Sequence, residues 1–446
     1  MIIAGGSVVT MDPTDTVMNP GWVRIEGDDI VGVSDESLEP RPGEEVLDAT
    51  GLAVIPGLIN THAHCFQTLL RAVYDELPLG TYLSYIYRCG IELTAEDCEA
   101  GGVLGGIEAI RSGTTTLVDH HFLNRGNDLV EGTIGGMLQT GVRSVVARTI
   151  MDTGAGLPDA IKESPAAALE RLDELLMAHA DERSMRTLTL MGGPNTPGIN
   201  ASAKACIASR EHAADRGIRR SAHVAEYRGV VDAVEANHGI HGPVRWLGQI
   251  GALGPDLLAV HAVQVEDDEV GYLRDHDVAV SHNPFSNLFC GDRNAPVDRY
   301  LDAGLRVGLG TDGAANNNGQ GILDASRLTR LLQRGRPDPF AISPTLGLRM
   351  ATIDGARAIG LDDIVGSIEV GKRADLALIR LGTSPHMVPI HDLIGHLAHF
   401  AKGTDVQTTI IGGRVLMRDH VLVELDEGEW YDRIQRVSTA LVGRLG

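Results

Sequence analysis

The sequence predicts an α/β protein: a (β/α)₈, TIM-like barrel with a small β-sandwich formed by the two chain termini. Three observations predict it. From about residue 55 to 360, eight short apolar runs alternate with longer Ala- and Leu-rich segments of helical period such as "PAAALERLDELLMAHA", which is the texture of repeated βα units. The first fifty or so residues and the tail carry β-type runs broken by turn signals instead, as in "WVRIEGDDIVGVS" and "QTTIIGGRVLMRD",. Neither end has enough apolar residues for a core of its own, so the two are expected to meet. The expected division assigns residues 1–54 and 363–446, the latter with a terminal helix, to the sandwich and residues 55–362 to the barrel.

Composition narrows the function. With 446 residues, 43% hydrophobic and 4% aromatic, this is an ordinary globular chain able to bury a large core,. Its formal charge of −22, without a basic cluster, repels a phosphate backbone and argues against nucleic acid as a partner,. The start "MIIAGGSVVTMDP" lacks the basic and apolar regions of a signal peptide, and no stretch reaches the roughly 18 apolar residues of a membrane span. A cytoplasmic protein without membrane contact is expected. The five cysteines, Cys65, Cys89, Cys98, Cys206 and Cys290, are odd in number and scattered, so disulfides and zinc knuckles are not expected,.

The eight strand candidates are "AVIPGLINTHAH", "TTTLVDHH", "RSVVARTIM", "RTLTLMGG", "RRSAHVAE", "LLAVHAVQV", "VAVSHNPFSN" and "LRVGLGTDG". An open doubly wound sheet shares this pattern, but eight parallel strands favour the closed barrel. In a barrel the C-terminal strand ends converge on one face, where catalytic groups sit.

The first candidate ends in His62 and His64, which leave the same face of an extended segment and can chelate one divalent ion,. Alone this is a weak signal in a chain with 17 histidines. Gln67 and Arg71 follow. The Gln67 amide matches the donor and acceptor edge of a heterocycle, with a solvated helix side chain as the alternative, and Arg71 suits either a salt bridge or substrate. At the second strand His120 and His121 point to opposite faces, so at most one looks inward. His121 is the candidate substrate contact, with a packed histidine as the alternative.

The fifth candidate ends in His223, with Glu226 three residues on. If the strand stops near Val224, the loop can curl Glu226 back over a metal as a general acid or base. His261 closes four apolar residues of the sixth, where an unpartnered imidazole would cost desolvation energy. Asp312 ends the eighth between glycine-rich turns, as a ligand or a turn former. Asn195, His282 and Asn287 lie near the same mouth as candidate substrate contacts, and an Asn or His before proline also closes turns. Cys65 reads as a small buried filler, and His386, His391, His396 and His399 as a helix face.

"PGLINTHAH", "HVAE", "VHAV", "SHNPFSN", "GLGTDGAANNN" and "GSIEVGKRADLALI", in that order across essentially the whole chain, resemble the amidohydrolase superfamily. The likeness is to its aminohydrolase branch, the deaminases acting on purine, nucleoside and triazine-like N-heterocycles. The resemblance implies that His62, His64, His223 and Asp312 hold one divalent ion, usually Zn²⁺ and sometimes Fe²⁺, with a position open for water. It implies three catalytic residues: Asp312 to take a proton, His261 to orient the attacking oxygen, and Glu226 to protonate the ring nitrogen and then the departing amine. An amino group on the ring is thereby exchanged for oxygen and ammonia leaves. The same attack would expel chloride or an alkylamine from a triazine-like ring. An inactive barrel serving as a binding subunit would show a broken ligand set, whereas all four ligands and Glu226 are present. Binuclear relatives carry a bridging lysine after the fourth strand, and "RTLTLMGGPN" has none. Asn195 stands where nucleoside-related deaminases commonly have a histidine. A homodimer or homotetramer is the assembly such a resemblance implies.

Overall fold

Eight parallel strands run through the middle of the chain in the computed structural model, which describes residues 1–73, 77, 79–290, 293–317 and 319–446. They are Leu58–His64, Thr114–His121, Arg143–Arg148, Leu188–Met191, Arg220–Val224, Leu257–His261, Ala279–His282 and Val307–Leu309, the last resuming as Asp312–Gly313. The eight expected strands are all present. They form two arcs: strands five to eight, and the end of strand eight with strands one to four. The arcs join at both seams. Ser221 N donates to Gly192 O at 2.9 Å between strands four and five, while the eighth strand pairs Leu309 with His282 on one side and Asp312 with Ala63 on the other.

Helices between the strands cover the ring. The helix Ala95–Arg111 starts at a capping box in which Thr94 and Asp97 exchange hydrogen bonds, satisfying amides that a helix start leaves unpaired. It lies close against Asp128–Thr140, because a Cβ on Gly136 would stand 2.2 Å from the Glu99 carbonyl oxygen. The helix Ile353–Ile359 closes the bottom of the barrel, where Ala356 and Ile359 join Ile59, Val145 and Leu258 in one apolar cluster. The opposite end holds the polar strand ends.

Both termini enter one nine-stranded sheet, in which Leu376–Arg380 from the tail pairs antiparallel with Leu52–Pro56 from the start. The sheet curls until Ile30 N donates to Lys372 O at 2.8 Å, and it encloses its own cluster of Ile3, Val23, Val54, Leu378 and Ile410. The first strand candidate therefore divides. Leu52–Pro56 belongs to this sheet and Leu58–His64 to the barrel, with Gly57 between them so close to Thr115 that a Cβ would sit 2.0 Å from its Oγ1. The terminal helix Glu427–Leu445 leaves the sheet and lies on the barrel. Its Ile434, Val437 and Leu441 share a cluster with Phe66, Tyr82 and Ile86, and Ser438 Oγ donates to Leu69 O at 2.7 Å.

Of the four tail histidines only His396 and His399 fall on a helix, Leu393–His399. His386 sits in a 3₁₀ turn with its Nε2 2.8 Å from Asp405 Oδ2.

Candidate active site

At the barrel mouth the strand ends bring together His62, His64 and His223 as one group, and His62, His261 and Asp312 as another. Within each group the ligand atoms lie within 4.8 Å of one another. Asp312 Oδ1 is 3.4 Å from His62 Nε2 and 3.1 Å from His64 Nε2. All five side chains are buried.

Local backbone geometry explains how they converge. Ala225, His261, Ala262 and Asp312 have φ of 51°, 71°, 47° and 62°, left-handed values that L-residues adopt at a cost of about 1–3 kcal/mol each. The turn at Ala225 ends the fifth strand after Val224 and swings Glu226 into the pocket, with Oε1 3.8 Å from His261 Nε2. The turn at His261 brings the same Nε2 to 3.8 Å from Asp312 Oδ2. Asp312 is itself held: Gly313 N donates to Oδ1 at 2.8 Å, and Ser286 Oγ and Asn316 Nδ2 donate to Oδ2 at 2.5 and 3.2 Å.

The donor set fits a divalent metal. Both ring nitrogens of His62 are buried without a hydrogen-bond partner, an arrangement that costs about 1–3 kcal/mol per orphaned group unless a ligand satisfies it. Burial, opposed by Asp312, pushes the His62 imidazolium down to about 4, and burial with the neighbouring His120 holds His223 well below its usual value. His62 and His223 are thereby held neutral, the form that ligates, whereas contact with Asp312, against the pull of burial, holds His64 up. Burial would raise the Asp312 carboxyl, but the His62 and His64 rings set against it and the charge of His64 outweigh it and hold it well below the carboxylate range. Three imidazoles and a carboxylate around a cleft form a donor set typical of catalytic zinc.

The cleft beside them is lined by Gln67, Tyr82, Ile86, Tyr87, Phe122, Asn195, Thr196, Ile199, Glu226, Tyr227, Val230 and Asn316. Gln67 is thus in the pocket, with Oε1 accepting from Tyr82 OH at 2.9 Å, and so is Asn195. The remaining candidate contacts lie elsewhere. Arg71 pairs with Glu108 in a separate outer crevice. His121 faces the helix side, where its Nδ1 is 3.4 Å from Asp119 Oδ2 and 3.3 Å from Thr133 Oγ1, so the inward histidine is His120. Strand alternation allowed either choice. His282 is buried beneath the helix Ile322–Gln333 near Thr329 and Gln333, where burial and then the nearby His261 push it down to about 3. Asn287 sits behind His261, its Oδ1 3.0 Å from Nδ1, and acts on that ring rather than lining the cleft.

The helix Leu79–Glu92 supplies Tyr82, Leu83, Ile86 and Tyr87 to the cleft. The spacing of Tyr82 and Ile86 marks an amphipathic helix, but nothing in it says that the buried face covers a ligand. Burial raises both tyrosine phenols, so they remain hydroxyl groups.

Fold and site together define a metal-dependent hydrolase built on a (β/α)₈ barrel. Residues 53–416 match the family described as the Amidohydrolase family, and the chain belongs to it. It is 35% identical over its full length to a 5-methylthioadenosine/S-adenosylhomocysteine deaminase of Pelotomaculum thermopropionicum, covering 99% of that protein. It is 33% identical over its full length to a 5'-deoxyadenosine deaminase of Methanosarcina mazei, again covering 99%. An adenosine deaminase from Xanthomonas campestris with bound zinc superposes with a TM-score of 0.90 at 26% identity, over 99% of this chain and 98% of that one. Atrazine chlorohydrolase from Arthrobacter aurescens complexed with zinc superposes equally well, at 0.90 and 26%, over 99% of both chains. The chain is a hydrolase of carbon–nitrogen bonds that uses a divalent metal and removes amino groups from N-heterocycles. No helix among the described residues is long and apolar enough to cross a membrane.

Proposed function

We propose that the protein hydrolyses the exocyclic amino group of an adenine-type nucleoside, releasing ammonia and leaving oxygen on the ring. The observation that carries this reading is the placement of Glu226 beside His261 and above the His62, His64, His223 and Asp312 set. The choice of an adenine ring is supported by full-length relatives at 33–35% identity that are named as deaminases of adenosine derivatives.

In this reading His62, His64, His223 and Asp312 hold one zinc or iron ion. When bound, the ion supplies a Lewis acid that lowers the pKa of a water towards neutrality. Asp312 Oδ2 and His261 Nε2, 3.8 Å apart, flank the attacking oxygen, the carboxylate to accept its proton and the imidazole to hold its direction. Glu226 gives its proton to the ring nitrogen beside the attacked carbon, and the departing amine takes one in turn. Water thus contributes its oxygen to the ring and its two hydrogens to ammonia and the ring nitrogen. Tyr82 and Gln67 present a hydroxyl and an amide to the heterocycle edge, and Phe122, Ile86 and Ile199 exclude water from its faces.

A homodimer or homotetramer in the cytoplasm completes the proposal. The buried thiols of Cys65, Cys89, Cys98 and Cys206, none of them in a disulfide, suit a reducing compartment,, and sedimentation velocity reads the assembly directly.

The test is ammonia release from adenosine, 5'-deoxyadenosine and 5'-methylthioadenosine, beside aminated pyrimidines, pterins and triazines, with chloride and alkylamine scored in parallel. The highest kcat/KM is expected for an adenine nucleoside. Chloride or alkylamine release as the dominant reaction would replace this reading with that of a triazine hydrolase.

A further inference from the structure

The sequence "DHH" that closes the second barrel strand takes no part in the chemistry above, yet it touches the metal ligands on two sides. We infer that His120, acting with Asn195, is a positioning residue that fixes which ring nitrogen His64 and His223 offer to the metal. The inference rests on the four-ligand site.

His64 Nδ1 lies 2.7 Å from the His120 carbonyl oxygen. A carbonyl only accepts, so Nδ1 carries a hydrogen, and Nε2, the nitrogen that faces Asp312, is the one left to an ion. The His120 side chain does the same for His223 at one remove. Asn195 Oδ1 lies 3.1 Å from His223 Nδ1 and 3.1 Å from His120 Nε2, so one amide oxygen accepts from both rings. Its Nδ2 points instead at Thr196 Oγ1, 3.4 Å away. The opposite amide orientation would present N–H groups to both histidines, placing the His223 proton on Nε2 and removing the lone pair the ion needs.

His120 is fixed in turn by Ser221 on the fifth strand, whose hydroxyl lies 2.9 Å from Nδ1. The neighbouring Asp119 accepts from Cys65 N at 2.6 Å and pins the chain just after His64. His120, Asn195 and Ser221 are 0%, 3% and 0% exposed, so water does not compete for these bonds. One ring therefore ties strands two, four and five into a bracket for ligands from strands one and five. His62, with no partner on either nitrogen, has no such support.

Partners of this kind typically contribute 10–100-fold to metal affinity. The zinc dissociation constant, measured by chelator competition on the full chain, is expected to rise by about 10–100-fold in Asn195→Leu and His120→Phe. Asn195→Asp, whose carboxylate oxygen still accepts from both rings, is expected to stay within about threefold of the parent, well inside that range. Zinc affinity of Asn195→Leu equal to the parent's would overturn the bracket. So would an equal loss in Asn195→Leu and Asn195→Asp, because the acceptor would then be irrelevant. A readout free of variants is the ¹⁵N spectrum of the histidine rings in the metal-free parent. His223 is expected as the Nδ1–H tautomer and His64 with its Nδ1 protonated, and a neutral Nε2–H tautomer at either would overturn the inference. A parent that binds no zinc at all would overturn the ligand site first and the bracket with it.

Discussion

His62 is the residue at which burial and chemistry conflict most sharply. Both its nitrogens are enclosed without a partner, and its neighbours within 5.6 Å between ring centroids are the imidazoles of His64, His120, His223 and His261. Packed together they stabilise nothing by themselves: burial disfavours the charged form of His62, His120 and His223, and repulsion from the neighbouring imidazoles adds to it,. A divalent ion changes the sign of that interaction. Left-handed φ values at Ala225, His261, Ala262 and Asp312 add strain at the same strand ends, and strain so clustered is a mark of functional sites. In the proposed mechanism Glu226 is the proton carrier and not a ligand. Glu226→Gln is expected to retain zinc at the parent's stoichiometry, by elemental analysis, while kcat falls about a hundred- to ten-thousand-fold; near-parental turnover would remove Glu226 from the mechanism.

At the scale of elements, strands deliver the chemistry and helices hold the strands in register. The helices Pro165–Ala178 and Ala203–Arg216 are tied by Asp173, which accepts two bonds of 2.7 Å from Arg216 and lies 3.0 Å from His212 Nε2. The Arg216 hydrogen bonds, opposed by slight burial and aided by His212, hold the Asp173 carboxyl down at about 2. A folded-state pKa below the unfolded value means that the ionised form is favoured by folding. The contribution is therefore complete above about pH 4 and lost as pH falls towards 2,. Asp173→Asn is expected to lower stability in urea by less than about 1 kcal/mol at pH 7, since the pair is largely solvated. The deficit should shrink between pH 4 and pH 3, and a deficit that grows there would contradict the assignment.

The existence of every barrel strand was legible because parallel strands buried on both faces are short, apolar and separated by helical stretches. What periodicity did not carry was the break at Gly57, because a strand that passes from one sheet to the next keeps the same apolar texture. It also did not carry the facing of His120 and His121, because alternation fixes their opposition and not which of them is inward.

Across the whole molecule, the convergence of His62, His64, His223, Asp312 and Glu226 was readable because barrel topology forces distant strand ends onto one face,. The walls of the cleft were not. Tyr82, Tyr87 and Ile199 lie on a helix and a loop whose approach to the mouth depends on tertiary packing, and the terminal helix that backs the two tyrosines through Ile434 and Val437 comes from the far end of the chain. The same packing separates Arg71, turned out to Glu108, from Gln67, held in the cleft by Tyr82, four residues apart in sequence. The tail therefore contributes twice, to the terminal sheet and to the wall behind the pocket. The central claim is that one ion on His62, His64, His223 and Asp312 enables the deamination. It is tested most directly by stripping the protein with a chelator and returning zinc while ammonia release is followed. The account predicts activity lost on stripping, restored linearly and saturating at one zinc per chain. Full activity without metal, or a requirement for two ions, would contradict it.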